Sequence, residues 1–337
     1  MNIPGPYLLY LGDAHDEISV KTSRGLAVFR PDLSIGEHRR PAATVTLGLT
    51  HMSFAEAVAA GARTLILGVA NAGGVLGPTA VEDVVAALEA GLNVAAGLHD
   101  RLRDNLRISE AAARTGRLLF DVREPPVDIA VGSGAPRAGH RLLTVGTDCS
   151  VGKMYTTLAL TRALAAQGVA ADFRATGQTG ILVAGGGIPV DAVVADFISG
   201  SVEMISPARE DGGWDLIEGQ GSLFHPSYAG VSLGLLHGAQ PSALVLCHEP
   251  GRESMRGLPG RRLPDLRTCL NANLEAARLT SPDVIAVGVA LNTSKLSAKE
   301  AQVVCRATED ALGLPCQDAF SMGVERILER MDQCFGL

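Results

Sequence analysis

The chain has 337 residues, 47% of them hydrophobic but only 4% aromatic, and a formal net charge of −7. That length admits two domains, each with its own core, and apolar mass made of Ala, Val and Leu is the filling of α/β layers. An acidic balance with no basic block excludes nucleic acid as the main partner, and no apolar stretch reaches the ~18 residues of a membrane helix. Residues 1–10 lack a basic segment followed by a long apolar core, so no targeting signal is read there. Six cysteines form no CxxC and eight histidines no HxxxH, so neither a structural metal site nor a disulfide framework is signalled. Reduced thiols in a cytoplasmic protein acting on a small molecule are the simplest account, with a homo-oligomer expected on general grounds.

Residues 7–12 and 25–30 alternate weakly and predict short strands, with 19–25 a solvated loop carrying Lys21 and Arg24. Strand and helix then alternate. A β-branched strand over 43–49 precedes a helix over 54–60 that stops at Gly61, and a strand over 64–69 leads to the turn Asn71-Ala-Gly-Gly74. A helix over 81–90 ends at Gly91, and a strand over 93–98 reaches His99-Asp100. A helix over 106–114, closed by Gly116, and a strand over 118–122 complete the run. Such alternation predicts a parallel, doubly wound sheet whose ligands lie beyond the carboxyl ends of its strands. Asn71, Gly73, Gly74, His99 and Asp100 fall there, although His99-Asp100 reads best as the N-cap of the next helix. No GxGxxG occurs in this half, so a dinucleotide is not indicated. Residues 123–139, rich in Pro and Gly, read as a junction. The division expected is a Rossmann-like domain over 1–130 and a P-loop NTPase-like domain over 131–337.

The second half opens on Arg141-Leu-Leu-Thr-Val-Gly-Thr-Asp-Cys-Ser-Val-Gly-Lys-Met-Tyr-Thr157. An apolar strand runs into a glycine-bounded loop, then a lysine, then a helix with Leu158, Leu160, Ala163 and Leu164 on its apolar stripe. That order is strand, phosphate-cradling loop, helix. Glycines let the backbone N–H groups approach an anion, the helix N-terminus adds partial positive charge, and Lys153 adds a full one. Two departures from a Walker A loop matter. Five residues, not four, separate Gly146 from Gly152, and Met154 stands where a P-loop NTPase has the hydroxyl that holds Mg²⁺. A thioether is a poor ligand for a hard cation. The candidate nucleotide-binding residues are Gly146, Thr147, Asp148, Cys149, Ser150, Val151, Gly152, Lys153, Met154 and Tyr155.

Beyond this helix, which stops at Gly168, come a strand over 169–174, the polar turn Thr176-Gly-Gln-Thr-Gly180 and a helix over 190–198. Trp214-Asp-Leu-Ile-Glu218 is an apolar strand delivering an acid beside the phosphate loop, followed by Gly219-Gln-Gly-Ser222 and His225-Pro226. A strand over 243–247 ends in His248-Glu-Pro-Gly-Arg252, and the segment from Gly251 to Arg262 carries four arginines. That segment reads equally as an anion-binding lid or a solvated loop. A helix over 266–279, a strand over 284–291 ending at Asn292-Thr293, a helix over 298–312 stopped by Gly313, a strand over 315–320 and a helix over 324–331 finish the chain.

Gly146-Thr-Asp-Cys-Ser-Val-Gly-Lys153 resembles the dethiobiotin synthetase loop G-T-D-x-x-V-G-K-T, which has the same five intervening residues. Glu218-Gly-Gln-Gly is similar to that family's acid-and-glycine strand end, and Asn292 sits where the family's asparagine contacts adenine. Met154 departs from that family's threonine, and dethiobiotin synthetases lack a counterpart to residues 1–125. Nearly the whole chain, including Lys21-Thr22, Gly25-Leu26 and Arg30, resembles a two-domain family that includes D-glutamate N-acetyltransferases. Their Rossmann-like domain is joined to a dethiobiotin-synthetase-like P-loop domain.

That resemblance implies acetyl transfer from acetyl-CoA to the amino group of a small amino acid, D-glutamate in particular. Met154 suits a thioester donor, which needs no metal on a γ-phosphate. Glu218 is the first choice of base, with Asp148 and His225 behind it. The turn Gly219, Gln220, Gly221, Ser222 is placed to form the acceptor and oxyanion pocket. Arg174, Gln178 and Arg252 are the candidates for holding a dicarboxylate, since arginine binds carboxylate bidentately. Cys149 is a small loop filler or, as the alternative, a thiol that carries acetyl. The rival reading is an ATP- and Mg²⁺-dependent ligase or kinase, with Asp148 and Glu218 on the metal and Thr156 or Thr157 replacing the missing ligand.

Overall fold

The computed structural model describes residues 3–17, 19–69 and 75–337. Contacts divide the chain into two compact units. One comprises Met1–Glu124 with Gln178–Pro189, the other Pro125–Gly177 with Val190–Leu337. Against the boundary expected at residue 130, the junction falls at 124/125, and a second stretch of chain, 178–189, belongs with the first unit.

In chain order the first unit holds β1 (Tyr7–Gly12), α1 (Lys21–Phe29), β2 (Ser34–Arg39), α2 (Phe54–Ala59), β3 (Thr64–Leu67), α3 (Pro78–Ala90), β4 (Asn93–Ala96), α4 (Leu106–Thr115) and β5 (Leu119–Asp121). The second unit begins with β6 (His140–Gly146), α5 (Lys153–Ala166) and β7 (Ala171–Arg174), after which α6 (Gln178–Ala184) returns to the first unit. The second unit continues with α7 (Ile198–Ile205), β8 (Trp214–Ile217), α8 (Ala229–Ala239), β9 (Ala243–His248), α9 (Leu266–Arg278), β10 (Ile285–Leu291), α10 (Ala298–Leu312), β11 (Cys316–Gln317) and α11 (Glu325–Phe335).

Two parallel sheets result, in the orders β2-β1-β3-β4-β5 and β11-β10-β9-β6-β8-β7. The expected α/β fold with two parallel sheets is the one observed. Central strands are apolar runs buried on both faces, as in Tyr7–Gly12 and Ala243–His248. Helix ends follow local chemistry. Ser53 and Ser297 form capping boxes with Glu56 and Glu300, while Gly91, Gly116 and Gly313 close α3, α4 and α10 in the left-handed region. Among the described residues no helix is long and apolar enough to cross a membrane.

Several local expectations are corrected. Residues 25–30 belong to a helix, α1, because Thr22, Leu26 and Phe29 are buried at helical spacing; Thr22 and Ser23 are small polar residues that conceal that face. The 43–49 stretch is not a strand. Val45 instead packs with Leu11, Ala14 and Val20, while the strand is the more polar Ser34–Arg39 at the sheet edge. Its Glu37 is buried by accepting from Thr46 Oγ1 and the Leu47 N–H, both at 2.7 Å. Residues 178–180 start α6 instead of completing a turn. Residues 190–198 give two 3₁₀ turns before α7, α8 appears where no helix was expected, and the strand over 315–320 shrinks to Cys316–Gln317. The N-cap of α4 is Asn105, not His99 or Asp100; Asp100 accepts from the Leu76 N–H instead. Asn71, Gly73 and Gly74 lie outside the described residues.

Candidate functional site

β6 stands between β8 and β9, and the loops leaving the carboxyl ends of these strands converge in the second unit. The phosphate loop is tightly curled. A Cβ on Gly146 would stand 2.8 Å from Val151 Cγ2, and Gly152, at φ +103°, caps α5 in a conformation reserved for glycine. Thr147 fixes the loop's first half. Its N–H donates to the Cys247 carbonyl (3.2 Å), its hydroxyl meets His248 Nδ1 (2.8 Å), and its carbonyl accepts from Ser222 Oγ (3.2 Å).

Lys153 is 6% exposed, and its ammonium donates to the carbonyls of Asp148 (2.7 Å) and Gly221 (2.9 Å). Burial pushes its pKa down, opposed by neighbouring Cys149, Cys247 and Asp148. Asp148 is fully buried. Its Oδ2 accepts from Arg252 Nη1 (2.9 Å) and the Arg256 N–H (2.8 Å), whereas its Oδ1 has no partner among the described residues. Arg252 also donates to the carbonyls of Cys149 (2.7 Å) and Ser150 (3.1 Å) and pairs with Glu249, which Lys295 meets from the other side at 2.6 Å. The arginine-rich segment is therefore strapped to the phosphate loop, with Arg256 bonded in addition to Ser150 Oγ.

Glu218 leaves the end of β8 only 5% exposed. Its Oε2 accepts the N–H groups of Thr176 and Gly177, each at 3.1 Å. Burial lifts its pKa to about 7 against the pull of these donors, of Gln220 and of Lys153. Backbones approach closely here, since a Cβ on Gly219 would lie 1.6 Å from the Thr144 carbonyl oxygen. The Gly219 N–H donates to Thr144 Oγ1 (3.0 Å), and the Gln220 carbonyl accepts from Ser232 Oγ (2.8 Å).

The phosphate loop, Glu218 with its glycine turn, Arg252 and Asn292 are thus assembled in one unit. Asn292 Cβ lies 3.7 Å from the position a Gly152 Cβ would take. Other candidates are held differently. His225 is occupied at both ring nitrogens, Nε2 donating to the Arg256 carbonyl (3.0 Å) and Nδ1 accepting from the Ser227 N–H (3.2 Å). Arg174 turns back along the sheet to Asp215 (2.8 Å) and Asp172 (3.2 Å). Gln178 is in the first unit, where it fills the space a side chain on Gly97 would need. Thr157 is tied to Thr144 Oγ1 and the Lys153 carbonyl, and Thr156 accepts from Cys247.

Sequence reasoning did not single out His248, the partner of Thr147, whose pKa falls to about 4 through burial and the charge of Arg252. It is neutral near pH 7. Glu249 and Arg256 were also missed as individual residues. The available signal was their position, directly after a buried strand and within the four-arginine segment.

The site thus sets a desolvated lysine at the mouth of a glycine-bounded loop near a buried carboxyl group whose pKa is raised to about 7.

Comparison with known proteins agrees with this architecture. A family model described as the DUF1611_C P-loop domain matches residues 129–328, and one described as the DUF1611_N Rossmann-like domain matches residues 43–125. A protein named D-glutamate N-acetyltransferase from Pseudoalteromonas sp is 47% identical over 331 residues, covering 98% of this chain and 100% of the relative. Another of the same name from Tritonibacter scottomollicae is 47% identical over 329 residues, covering 98% and 99%. The crystal structure of a DUF1611 family protein from Anabaena variabilis superposes with a TM-score of 0.88 at 31% identity, covering 97% of this chain and 99% of that one. Along nearly its whole length, with both halves matched, the chain belongs to the DUF1611 family, which has a Rossmann-like and a P-loop domain.

Proposed function

We propose that this chain is a D-glutamate N-acetyltransferase that takes its acetyl group from acetyl-CoA. The observation that carries the reading is the 47% identity, end to end, with two proteins of that name. Met154 supports a donor that needs no Mg²⁺ on a γ-phosphate, because the position directly after Lys153 carries a thioether and not a hydroxyl.

Lys153 and the N–H groups of residues 148–153 take the donor's diphosphate. Glu218, as carboxylate, receives a proton from the acceptor's ammonium. The freed nitrogen attacks the thioester carbonyl, a C–N bond forms, the C–S bond breaks, and CoA leaves as the thiolate, which is reprotonated. A base with a pKa near the working pH suits that transfer. N–H groups of the Gln220–Ser222 turn stabilise the developing oxyanion. Neither Arg174 nor Arg252 is assigned to the acceptor's carboxylates, since both guanidinium groups are already paired with buried aspartates. The reading extends to a cytoplasmic protein acting as a homo-oligomer.

The test is initial-rate release of free thiol from acetyl-CoA with D-glutamate, L-glutamate or no acceptor, beside ATP consumption with Mg²⁺. Thiol release dependent on D-glutamate is the expected result. ATP consumption without thiol release would replace the reading by the ligase.

A further inference from the structure

Phe320 is a large aromatic residue left 67% exposed, and its position is not loosely set. Asp318, itself buried, accepts from the N–H groups of Phe320 (2.9 Å) and Ser321 (3.2 Å) through Oδ1. Through Oδ2 it accepts from Thr293 N (2.8 Å) and Thr293 Oγ1 (2.5 Å). Thr293 follows Asn292, whose N–H donates to the His248 carbonyl (2.8 Å) and whose Cβ adjoins Gly152 of the phosphate loop. On the other side, the Phe320 ring meets Tyr155, two residues after Lys153, edge-on at 5.9 Å and 80°. Gly152, Asn292, Thr293, Asp318, Phe320 and Tyr155 therefore close a circuit beside the phosphate loop. A buried carboxylate spends both oxygens on holding an aromatic ring out in solvent at that point.

We propose that Phe320, braced by Tyr155, is the stacking shelf for the adenine ring of the nucleotide whose phosphates occupy the loop. The face of an exposed aromatic ring is a sequence-independent platform for a base, and the edge-on tyrosine prevents it from swinging away. The identity of the nucleotide as CoA rests on the proposed function; the shelf itself requires only an adenine nucleotide.

The test compares the parent with Phe320→Ala and Phe320→Trp, using acetyl-CoA and S-acetylpantetheine, which lacks the nucleotide. Binding of adenosine 3′,5′-bisphosphate and of pyrophosphate is measured in parallel by calorimetry. In Phe320→Ala the ratio of kcat/KM for acetyl-CoA over S-acetylpantetheine falls on the order of tenfold, and the bisphosphate binds about tenfold more weakly relative to pyrophosphate. Phe320→Trp restores both. An unchanged ratio together with unchanged relative bisphosphate binding overturns the shelf, as does a loss that tracks a change in native mass. If the parent does not turn over acetyl-CoA, the acetyltransferase reading fails while the bisphosphate comparison still decides the shelf.

Discussion

Glu218→Gln separates catalysis from stability. In the folded protein the carboxyl holds its proton up to about pH 7, whereas the unfolded chain releases it near 4.5. Between those values the folded state binds more protons, so stability is lost as pH rises through that window and the full penalty is present above it. At about 1.4 kcal/mol per pH unit, the cost of ionising Glu218 in place is roughly 3 kcal/mol at pH 8 and below about 1 kcal/mol at pH 5. Glutamine keeps the shape without the charge, so the variant unfolds at higher urea than the parent at pH 8 and with little advantage at pH 5. Trp214, the single tryptophan, is buried on the strand that delivers Glu218 and reports the transition by fluorescence. Acetyl transfer falls by about 10²- to 10⁴-fold in the same variant, as for removal of a general base, and the parent's kcat/KM shows a rising limb centred near pH 7. Equal destabilisation at both pH values would refute the buried, proton-holding carboxyl. A rate that climbs through pH 7 without inflection would refute its role as base.

Three further outcomes follow from the same geometry. Acetyl transfer proceeds at an unchanged rate in excess EDTA, because Met154 follows the loop lysine; loss of activity restored by Mg²⁺ would contradict that reading. Arg252→Ala takes from the buried Asp148 its one side-chain cation among the described residues, leaves Glu249 with Lys295 alone, and lowers stability by about 3 kcal/mol in urea unfolding; a change in the acceptor's KM at unchanged stability would instead make Arg252 a substrate ligand. Gly219→Ala drives a methyl into the Thr144 carbonyl and costs more than about 3 kcal/mol, while Gly186→Ala, facing open space, stays within about 0.5 kcal/mol. Similar stabilities for the two glycine variants would show that β6 and the Gly219 turn part more easily than their contact implies.

The parts of the site that were legible in the sequence share a local cause. Gly146 and Gly152 bound a loop that only glycine shapes, Lys153 follows at fixed spacing, and Glu218 ends an apolar strand before a glycine turn. Each signal is complete within a few residues. His225, Arg174 and Gln178 were chosen on residue type and position alone, and their side chains are engaged by partners remote in sequence or in another part of the fold. Nothing local announces that His225 will meet the Arg256 carbonyl or that Arg174 will face Asp215.

Sequence by itself determined the α/β class, the two parallel sheets, the place of the glycine-bounded loop and the acid that follows β8, because periodicity, glycine conformations and buried runs are properties of short segments. Only the tertiary structure decided which charges remain available. It paired Arg252 with Asp148, neutralised His248, raised Glu218 towards 7 and pinned Phe320 beside Tyr155. It also gave α6, which follows the second unit's strand β7 in the chain, to the first unit. Burial and pairing are set by whichever segments fold against a residue, and for Asp148 and Thr147 those partners lie more than a hundred residues away.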